Sequence, residues 1–165
     1  DQRPNKHARV MMEIELQAQW ATCQRGRVGS ALVDNDGAIL VVARNGTPYG
    51  QPTCKELGAN PNERCQFCLH SEDNIINHAS NFGVSTSGTH LYTLKRPCLG
   101  CSNRIVQADI AWVYYREDYD TDGQRDYVFN MFADRGIGCI KLVQSPAEIA
   151  FSKLLEVWRA NWIGN

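Results

Sequence analysis

Residues 90–101, HLYTLKRPCLGC, contain a predicted strand that leads directly into a predicted helix. The first half, from His90 to Leu94, is rich in residues that favour strands. Pro97 suits the entry of a helical turn, because its missing N–H would be unpaired at that position. Cys98 and Cys101 have the C-x-x-C spacing that lets two sulfur atoms converge on one metal ion. The stretch therefore predicts a strand that delivers two thiols to the first turn of a helix.

A second group of chemically active residues, His70-Ser71-Glu72, precedes Cys98 and opens another predicted helix. A catalytic zinc ion needs three protein ligands and one open position for water. We expect His70, Cys98 and Cys101 to be those ligands, and Glu72 to act as general base and then as general acid. The combination H-x-E and P-C-x-x-C is a known signature of zinc deaminases that act on nucleobases. Its match identifies this chemistry by similarity.

Each half of this signature has a plainer interpretation when it stands alone. An isolated C-x-x-C is also typical of a structural zinc knuckle or a redox pair, and an isolated H-x-E has little specificity. Here both halves precede predicted helices, and a strand leads into the second one. Their combination favours a catalytic zinc site.

The remaining sequence predicts an alternation of helices and strands around this centre. Helices are predicted at Pro4–Trp20, from Ser71 to about Phe82, from Pro97 onward, at Asp126–Asp134 and at Pro146–Trp162, and strands at Gly29–Val33, Ala38–Ala43, His90–Leu94, Ile110–Tyr115 and Gly136–Val143. The apolar run Ile110–Tyr115 predicts a strand buried on both faces. The order α-β-β-α-β-α-β-α-β-α predicts a three-layer α/β fold with about five central strands and helices on both faces. A length of 165 residues suits one domain over 1–165.

Charge and hydropathy exclude some classes of protein. The chain carries 17 basic and 18 acidic residues, a net charge of −1, so no overall basic field attracts nucleic acid or anionic lipid. Apolar runs stay short of the roughly 18–20 residues that span a bilayer. The first residues lack the apolar core of a secretory leader. We expect a soluble, cytoplasmic protein without a membrane partner.

Seven cysteines are many for this length. Their odd number, without a leader peptide, argues against a disulfide framework. Two pairs, Cys65/Cys68 and Cys98/Cys101, have metal-ligand spacing. Cys139 lies in an apolar strand, and we interpret it as a small buried hydrophobe.

Beyond the core signature, most of the chain resembles the deoxycytidylate (dCMP) deaminases, including their phage and bacterial competence-operon forms. Residues 23–31 resemble C-x-x-x-x-V-G-A, residues 44–50 with Cys54 resemble Y-N-G-T-P-x-G…H-C, residues 70–76 resemble H-A-E-x-N-A-I, residues 91–98 resemble L-Y-V-T-L-x-P-C, and residues 107–110 resemble Q-A-G-I. Departures include Arg44 in place of Tyr, Ser71 in place of Ala and Asp109 in place of Gly.

The resemblance implies a cytidine-deaminase-like fold with a mixed sheet, and an enzyme of nucleotide metabolism. It implies hydrolysis of dCMP, or of a 5-substituted dCMP, to the uracil nucleotide (dUMP from dCMP) and ammonia. Zinc would supply the hydroxide that attacks C4, since it lowers the pKa of its water to about 7. Asn45 would bond the sugar hydroxyl, Tyr119 would contact the pyrimidine or sugar, and Asn74 would lie at the nucleotide phosphate.

The resemblance also implies features outside the reaction centre. Relatives carry a second, structural zinc, which here would be held by Cys23, Cys54, Cys65 and Cys68; buried free thiols are the alternative. Relatives are activated by dCTP and inhibited by dTTP, with Mg2+ accompanying an allosteric nucleotide, and they form oligomers. The implied assembly is a homo-oligomer, from dimer to hexamer, in the cytoplasm, or in the host cytoplasm if a phage encodes it.

Two other functions use the same residues. A tRNA or other polynucleotide deaminase would share the zinc core but needs a basic, aromatic groove. The acidic segment from Glu117 to Asp122 argues against such a groove. A non-catalytic, zinc-stapled binding module would keep the ligands but have no activity that depends on Glu72.

Overall fold

The computed structural model describes residues 3–119 and 123–162, so the last part of the acidic segment, residues 120–122, lies outside it. Five strands form one sheet in the order β2-β1-β3-β4-β5. They are β1 Gly29–Val33, β2 Ile39–Arg44, β3 His90–Lys95, β4 Trp112–Glu117 and β5 Gly138–Lys141. β1 is antiparallel to β2 and to β3, whereas β3, β4 and β5 are mutually parallel. The predicted mixed sheet is confirmed.

Five helices cover the two faces of this sheet: α1 Lys6–Ala18, α2 Ser71–Phe82, α3 Leu99–Gln107, α4 Arg125–Asp134 and α5 Pro146–Trp162. On one face, residues of α2, α3 and α4 such as Ile75, Ile105 and Phe132 join Leu32 and Leu91 in a buried core. On the other face, α1 packs on β1 and β3, and α5 packs on α1. The three-layer α/β architecture and the element order are as the sequence predicts. None of the described helices is long and apolar enough to cross a membrane.

The hairpin between β1 and β2 forms at the predicted Asp-Gly turn. Gly37 has φ 92°, and its N–H donates to the carbonyl of Asp34. The Asp34 carboxylate also accepts a hydrogen bond from Ala38 N at 2.8 Å. A positive φ costs glycine nothing, so this position fixes the tight connection.

Several predicted boundaries shift for identifiable reasons. Helix α1 begins after Asn5, whose side chain accepts a hydrogen bond from Ala8 N at 2.9 Å, so Pro4 precedes the cap and is not in the first turn. The predicted strand from Ile110 begins only at Trp112. Trp112 at its start is 39% exposed, whereas the next three residues, Val113 to Tyr115, are buried, so the expectation of burial on both faces is confirmed beyond the first residue. The sheet face at Trp112 lies beyond the part that α1 covers.

The loop after α3 contains a residue in a left-handed conformation. Asp109 has φ 55° and, within residues 3–119 and 123–162, is the one residue other than glycine with a positive φ. Its carboxylate accepts a hydrogen bond from Ser87, and its carbonyl accepts one from Gly88 N. Aspartate tolerates this region better than most residues because its short polar side chain can bond locally. The geometry explains why the resembling Q-A-G-I segment has glycine there.

Helix α5 is fixed by a capping box and a buried ion cluster. Ser145 N donates to the Glu148 carboxylate at 2.7 Å, and Glu148 N donates to the Ser145 hydroxyl at 3.3 Å. Arg116 on β4 pairs with Glu148 at 3.2 Å and with Glu15 on α1 at 2.9 Å. The cluster ties α1, β4 and α5 together on one side of the sheet.

The close approach of α1 to β1 requires glycine at position 29. A Cβ at Gly29 would lie 2.0 Å from the carbonyl oxygen of Ile14. We therefore expect Gly29→Ala to lower the free energy of unfolding by about 2 kcal/mol or more, since backbone has to move. Gly100→Ala is the matched control, because a Cβ there meets nothing within 4 Å. Urea denaturation of both variants measures the difference; equal stabilities would contradict this account.

Candidate active site

The chemically active residues gather at one edge of the sheet. β2, β3 and β4 run in the same direction, so their carboxyl ends meet there. Asn45 follows β2, Cys98 follows β3 and Tyr119 follows β4. An isolated bridge between Gly46 and Leu69 brings the start of α2 to the same edge. The topology therefore places segments that are distant in sequence around one cavity.

Two helix starts carry the predicted metal ligands. His70 is the N-cap of α2 and Cys98 the N-cap of α3, each with extended backbone angles. Neither side chain caps its own helix, so both are available for other contacts. An ion pair between Asp73 and Arg104, at 2.6 Å, joins the two helices near these ends. The positive ends of both helix dipoles favour thiolates between them.

The spacing of the three donor atoms fits a zinc ion. His70 Nδ1 lies 3.5 Å from Cys98 Sγ and 3.4 Å from Cys101 Sγ. Zinc–nitrogen and zinc–sulfur bonds of ~2.05 and ~2.3 Å at a tetrahedral angle separate the two atoms by about 3.5 Å. The imidazole and the two thiols are thus close enough to hold one zinc ion. An ion with these three protein ligands would keep one position for a molecule of water or substrate.

The protonation of these groups is strongly coupled. A hydrogen bond with the Cys101 thiol lowers the pKa of Cys98 to about 3, and His70 adds to this effect. The same bond raises the pKa of Cys101, because its proton is held between the sulfurs. A hydrogen bond with Cys98 raises the pKa of His70. A divalent cation would displace these shared protons, as metal binding to thiolates requires.

Glu72 lies beside this donor set and is 4% exposed. Burial raises the pKa of its carboxyl, while the charge of His70 and a hydrogen bond from Ser71 act in the opposite direction. Glu72 and His70 line the same cavity. A buried carboxyl with a raised pKa is suited to taking up and releasing a proton near neutral pH.

A second cluster of potential ligands consists of Cys23, Cys54, Cys65 and Cys68. Their four sulfur atoms all lie within 4.8 Å of one another. Cys23 follows α1, whereas the other three belong to the long connection between β2 and α2. Four thiolates arranged in this way match the donor set of a closed, structural zinc site. Such a site would attach the long connection to the end of α1.

The cavity between the two clusters has a cationic rim. His70 of the first cluster lines its floor together with Ser71 and Glu72, and Cys65 and Cys68 of the second cluster line one wall. The side chains of Arg25, Arg64 and Lys95 lie around the rim. Glu72 is the one acidic residue in this lining among the described residues, and it is buried. The rim is suited to an anionic ligand.

The predicted substrate contacts fall in different places. Asn45 lines the cavity, but its amide already accepts from Val28 N at 2.9 Å and donates to Gly26 O at 2.8 Å. Tyr119 also lines the cavity, with Lys95 Nζ 5.4 Å from its ring centre. Asn74 is outside this lining and donates to Arg44 O at 2.8 Å. All three contacts with substrate stay predictions.

Some residues of this cavity were not singled out from the sequence. Arg96 is 1% exposed and donates to the carbonyls of Pro97 and Tyr119, so it joins the segments after β3 and β4. The guanidinium also lies 6.0 Å from the ring of Phe129 on α4. The sequence did carry a signal for Arg96, because a basic side chain directly precedes Pro97 of the P-C-x-x-C motif. Ser30 lies outside the cavity lining but contacts Ser71 at 2.7 Å, and its sequence context carried no signal.

Comparison with known proteins agrees with this geometry. Residues 4–117 match the family model described as the cytidine and deoxycytidylate deaminase zinc-binding region. The fold and the paired helix starts are those of a zinc-binding deaminase domain, and the chain belongs to the cytidine and deoxycytidylate deaminase family.

Individual relatives carry related names. The chain is 34% identical to ComE operon protein 2 of Bacillus subtilis over 77% of its length, and 32% identical to the deoxycytidylate deaminase of Saccharomyces cerevisiae over 82%. It spans 66% and 44% of those two proteins, respectively. A structure of dCMP deaminase from cyanophage S-TIM5 with dCMP and dUMP has a TM-score of 0.70 at 29% identity, covering 85% of this chain and 99% of that one.

The two clusters predict two zinc ions per chain. Cys54→Ser should reduce the content to one, because a closed site tolerates no missing ligand, and Cys101→Ser should do the same through the other cluster. Cys139→Ser is the control, since Cys139 belongs to neither cluster. Elemental analysis of the purified proteins measures this. One zinc in the unmodified protein would contradict the second site, and an unchanged content in Cys101→Ser would contradict the first.

Proposed function

We propose that the protein hydrolyses dCMP, or a 5-substituted dCMP, to the corresponding uracil nucleotide and ammonia. The observation that carries this is a buried glutamate beside three clustered potential metal ligands, at the floor of a cavity with a cationic rim. Membership of the cytidine and deoxycytidylate deaminase family supports it. So does the likeness to a dCMP deaminase whose structure holds dCMP and dUMP.

The residues of the chain divide the reaction between them. When bound at His70, Cys98 and Cys101, zinc supplies a Lewis acid that lowers the pKa of water. Glu72 takes a proton from the attacking water and delivers it to the ring nitrogen N3 as oxygen adds to C4. Glu72 then moves the remaining proton of that oxygen to the amino group, so the C4=O bond forms as the C4–N bond breaks and ammonia leaves. The buried position of Glu72 keeps other water from supplying these protons.

Glu72→Gln separates this enzyme from a non-catalytic zinc module. The amide occupies the same volume but cannot move a proton, so we expect kcat for dCMP to fall at least a hundredfold with zinc content unchanged. Loss of the absorbance of cytosine measures the rate, and elemental analysis measures the metal. Glu156→Gln, at an exposed position of α5, is the control. Full activity of Glu72→Gln would overturn the mechanism.

The cationic rim supports a substrate that carries a phosphate. Arg25 and Arg64 are exposed, and Lys95 is half-buried above Tyr119. A phosphate dianion at the rim would interact with these three charges while the base reaches the floor of the cavity. Hydrogen bonds of this charge-assisted kind contribute about 1.5–3 kcal/mol each. A nucleoside without phosphate would lose them.

Arg64→Met and Lys95→Met should therefore raise KM for dCMP about tenfold each, while leaving kcat/KM for deoxycytidine unchanged. Arg135→Gln is the matched control, since Arg135 is exposed and lies outside the cavity lining. Initial rates with dCMP, deoxycytidine and a short RNA give the comparison. Equal losses for dCMP and deoxycytidine would refute phosphate binding at the rim, and preference for RNA would favour the polynucleotide deaminase.

Regulation and assembly belong to the same proposal. Activation by dCTP, inhibition by dTTP, a role for Mg2+, and a homo-oligomer from dimer to hexamer stay predictions drawn from the family. Location in the cytoplasm is likewise a prediction. The dCMP assay with and without dCTP or dTTP, and the mass of the protein in solution, address them directly.

A further inference from the structure

A chain of two serine hydroxyl groups leads to the carboxylate of Glu72. Ser30 Oγ lies 2.7 Å from Ser71 Oγ, and Ser71 Oγ lies 3.0 Å from Glu72 Oε2. Both serines are 0% exposed. Ser30 lies in β1, between β2 and β3, and Ser71 is the first residue of α2. This chain of hydroxyl groups therefore runs from an interior strand of the sheet to the floor of the cavity.

The number of available protons fixes the direction of this chain. The hydroxyl of Ser71 donates to Oε2 of Glu72. A serine hydroxyl has one hydrogen to donate, so Ser30 must donate to Ser71. The hydroxyl of Ser30 contacts Ser71 and not Glu72, so its effect on Glu72 passes through Ser71.

The two serines depend on each other. A buried hydroxyl without a hydrogen-bond partner destabilises a protein, so neither serine suits this interior alone. The two serines lie 41 residues apart in sequence and meet in space at one hydrogen bond.

We propose that Ser30 and Ser71 are positioning residues that hold Oε2 of Glu72 in one orientation, so that the carboxylate is aligned with the substrate. This inference rests on the proposed function, because alignment matters only for a glutamate that moves protons. Without the hydroxyl of Ser71, the side chain of Glu72 gains rotational freedom at the floor of the cavity. Proton transfer then requires a less populated orientation, while binding of substrate at the rim is unaffected.

The test is a double-mutant cycle of Ser30→Ala, Ser71→Ala and the double variant, assayed with dCMP. Ser71→Ala should lower kcat about tenfold with KM within twofold, and Ser30→Ala should lower kcat about two- to threefold. The double variant should match Ser71→Ala, because Ser30 acts through Ser71. A rise in KM instead of a fall in kcat, or independent effects of the two changes, would overturn the proposal.

Urea unfolding of the same four proteins gives a readout independent of activity. Ser71→Ala leaves the Ser30 hydroxyl buried without its partner, so adding Ser30→Ala should raise the denaturation midpoint again. Ser102→Ala is the control, since Ser102 is also 0% exposed but makes no described contact with Glu72. If the two substitutions changed the denaturation midpoint additively, the hydrogen bond between the two serines would be refuted. Absence of dCMP deamination in the unmodified protein would instead refute the proposed function.

Discussion

The structure depends on the convergence of two helix starts, those of α2 and α3, on one point. His70 and Cys98 occupy equivalent N-cap positions, and each turns its side chain away from its own helix toward the other. The unpaired N–H groups at these starts favour negative charge, which stabilises thiolates that would otherwise be hard to bury. The sheet order and the Gly46–Leu69 bridge serve to hold the two starts together. As a result, the imidazole nitrogen of His70 lies about equally far from the sulfurs of Cys98 and Cys101.

Local sequence was sufficient to predict the parts of the site that are local in structure. Cys98 and Cys101 lie on one turn, and His70 and Glu72 lie at one helix start, so their spacing directly reflects their geometry. The element order followed from periodicity, because each helix and strand buries one face. Boundaries were less certain: Asn5 competes with Pro4 for the start of α1, and only the observed hydrogen bond decides between them.

Contacts between distant segments could not be predicted in this way. The bond between Ser30 and Ser71 needs the register of β1 beside α2, which no single stretch of sequence contains. The amide of Asn45 is engaged by residues 26–28, again a contact between separate segments. Asn74 donates to the carbonyl of Arg44, a further contact between separate segments.

The wall of the cavity and its floor belong to one continuous segment, since Cys65 and Cys68 come directly before His70 and Glu72. The buried core of the sheet and helices can form from apolar contacts alone, but this wall needs four thiols drawn from separate parts of the chain. Zinc bound by these four thiols would therefore brace one wall of the cavity directly beside its catalytic floor.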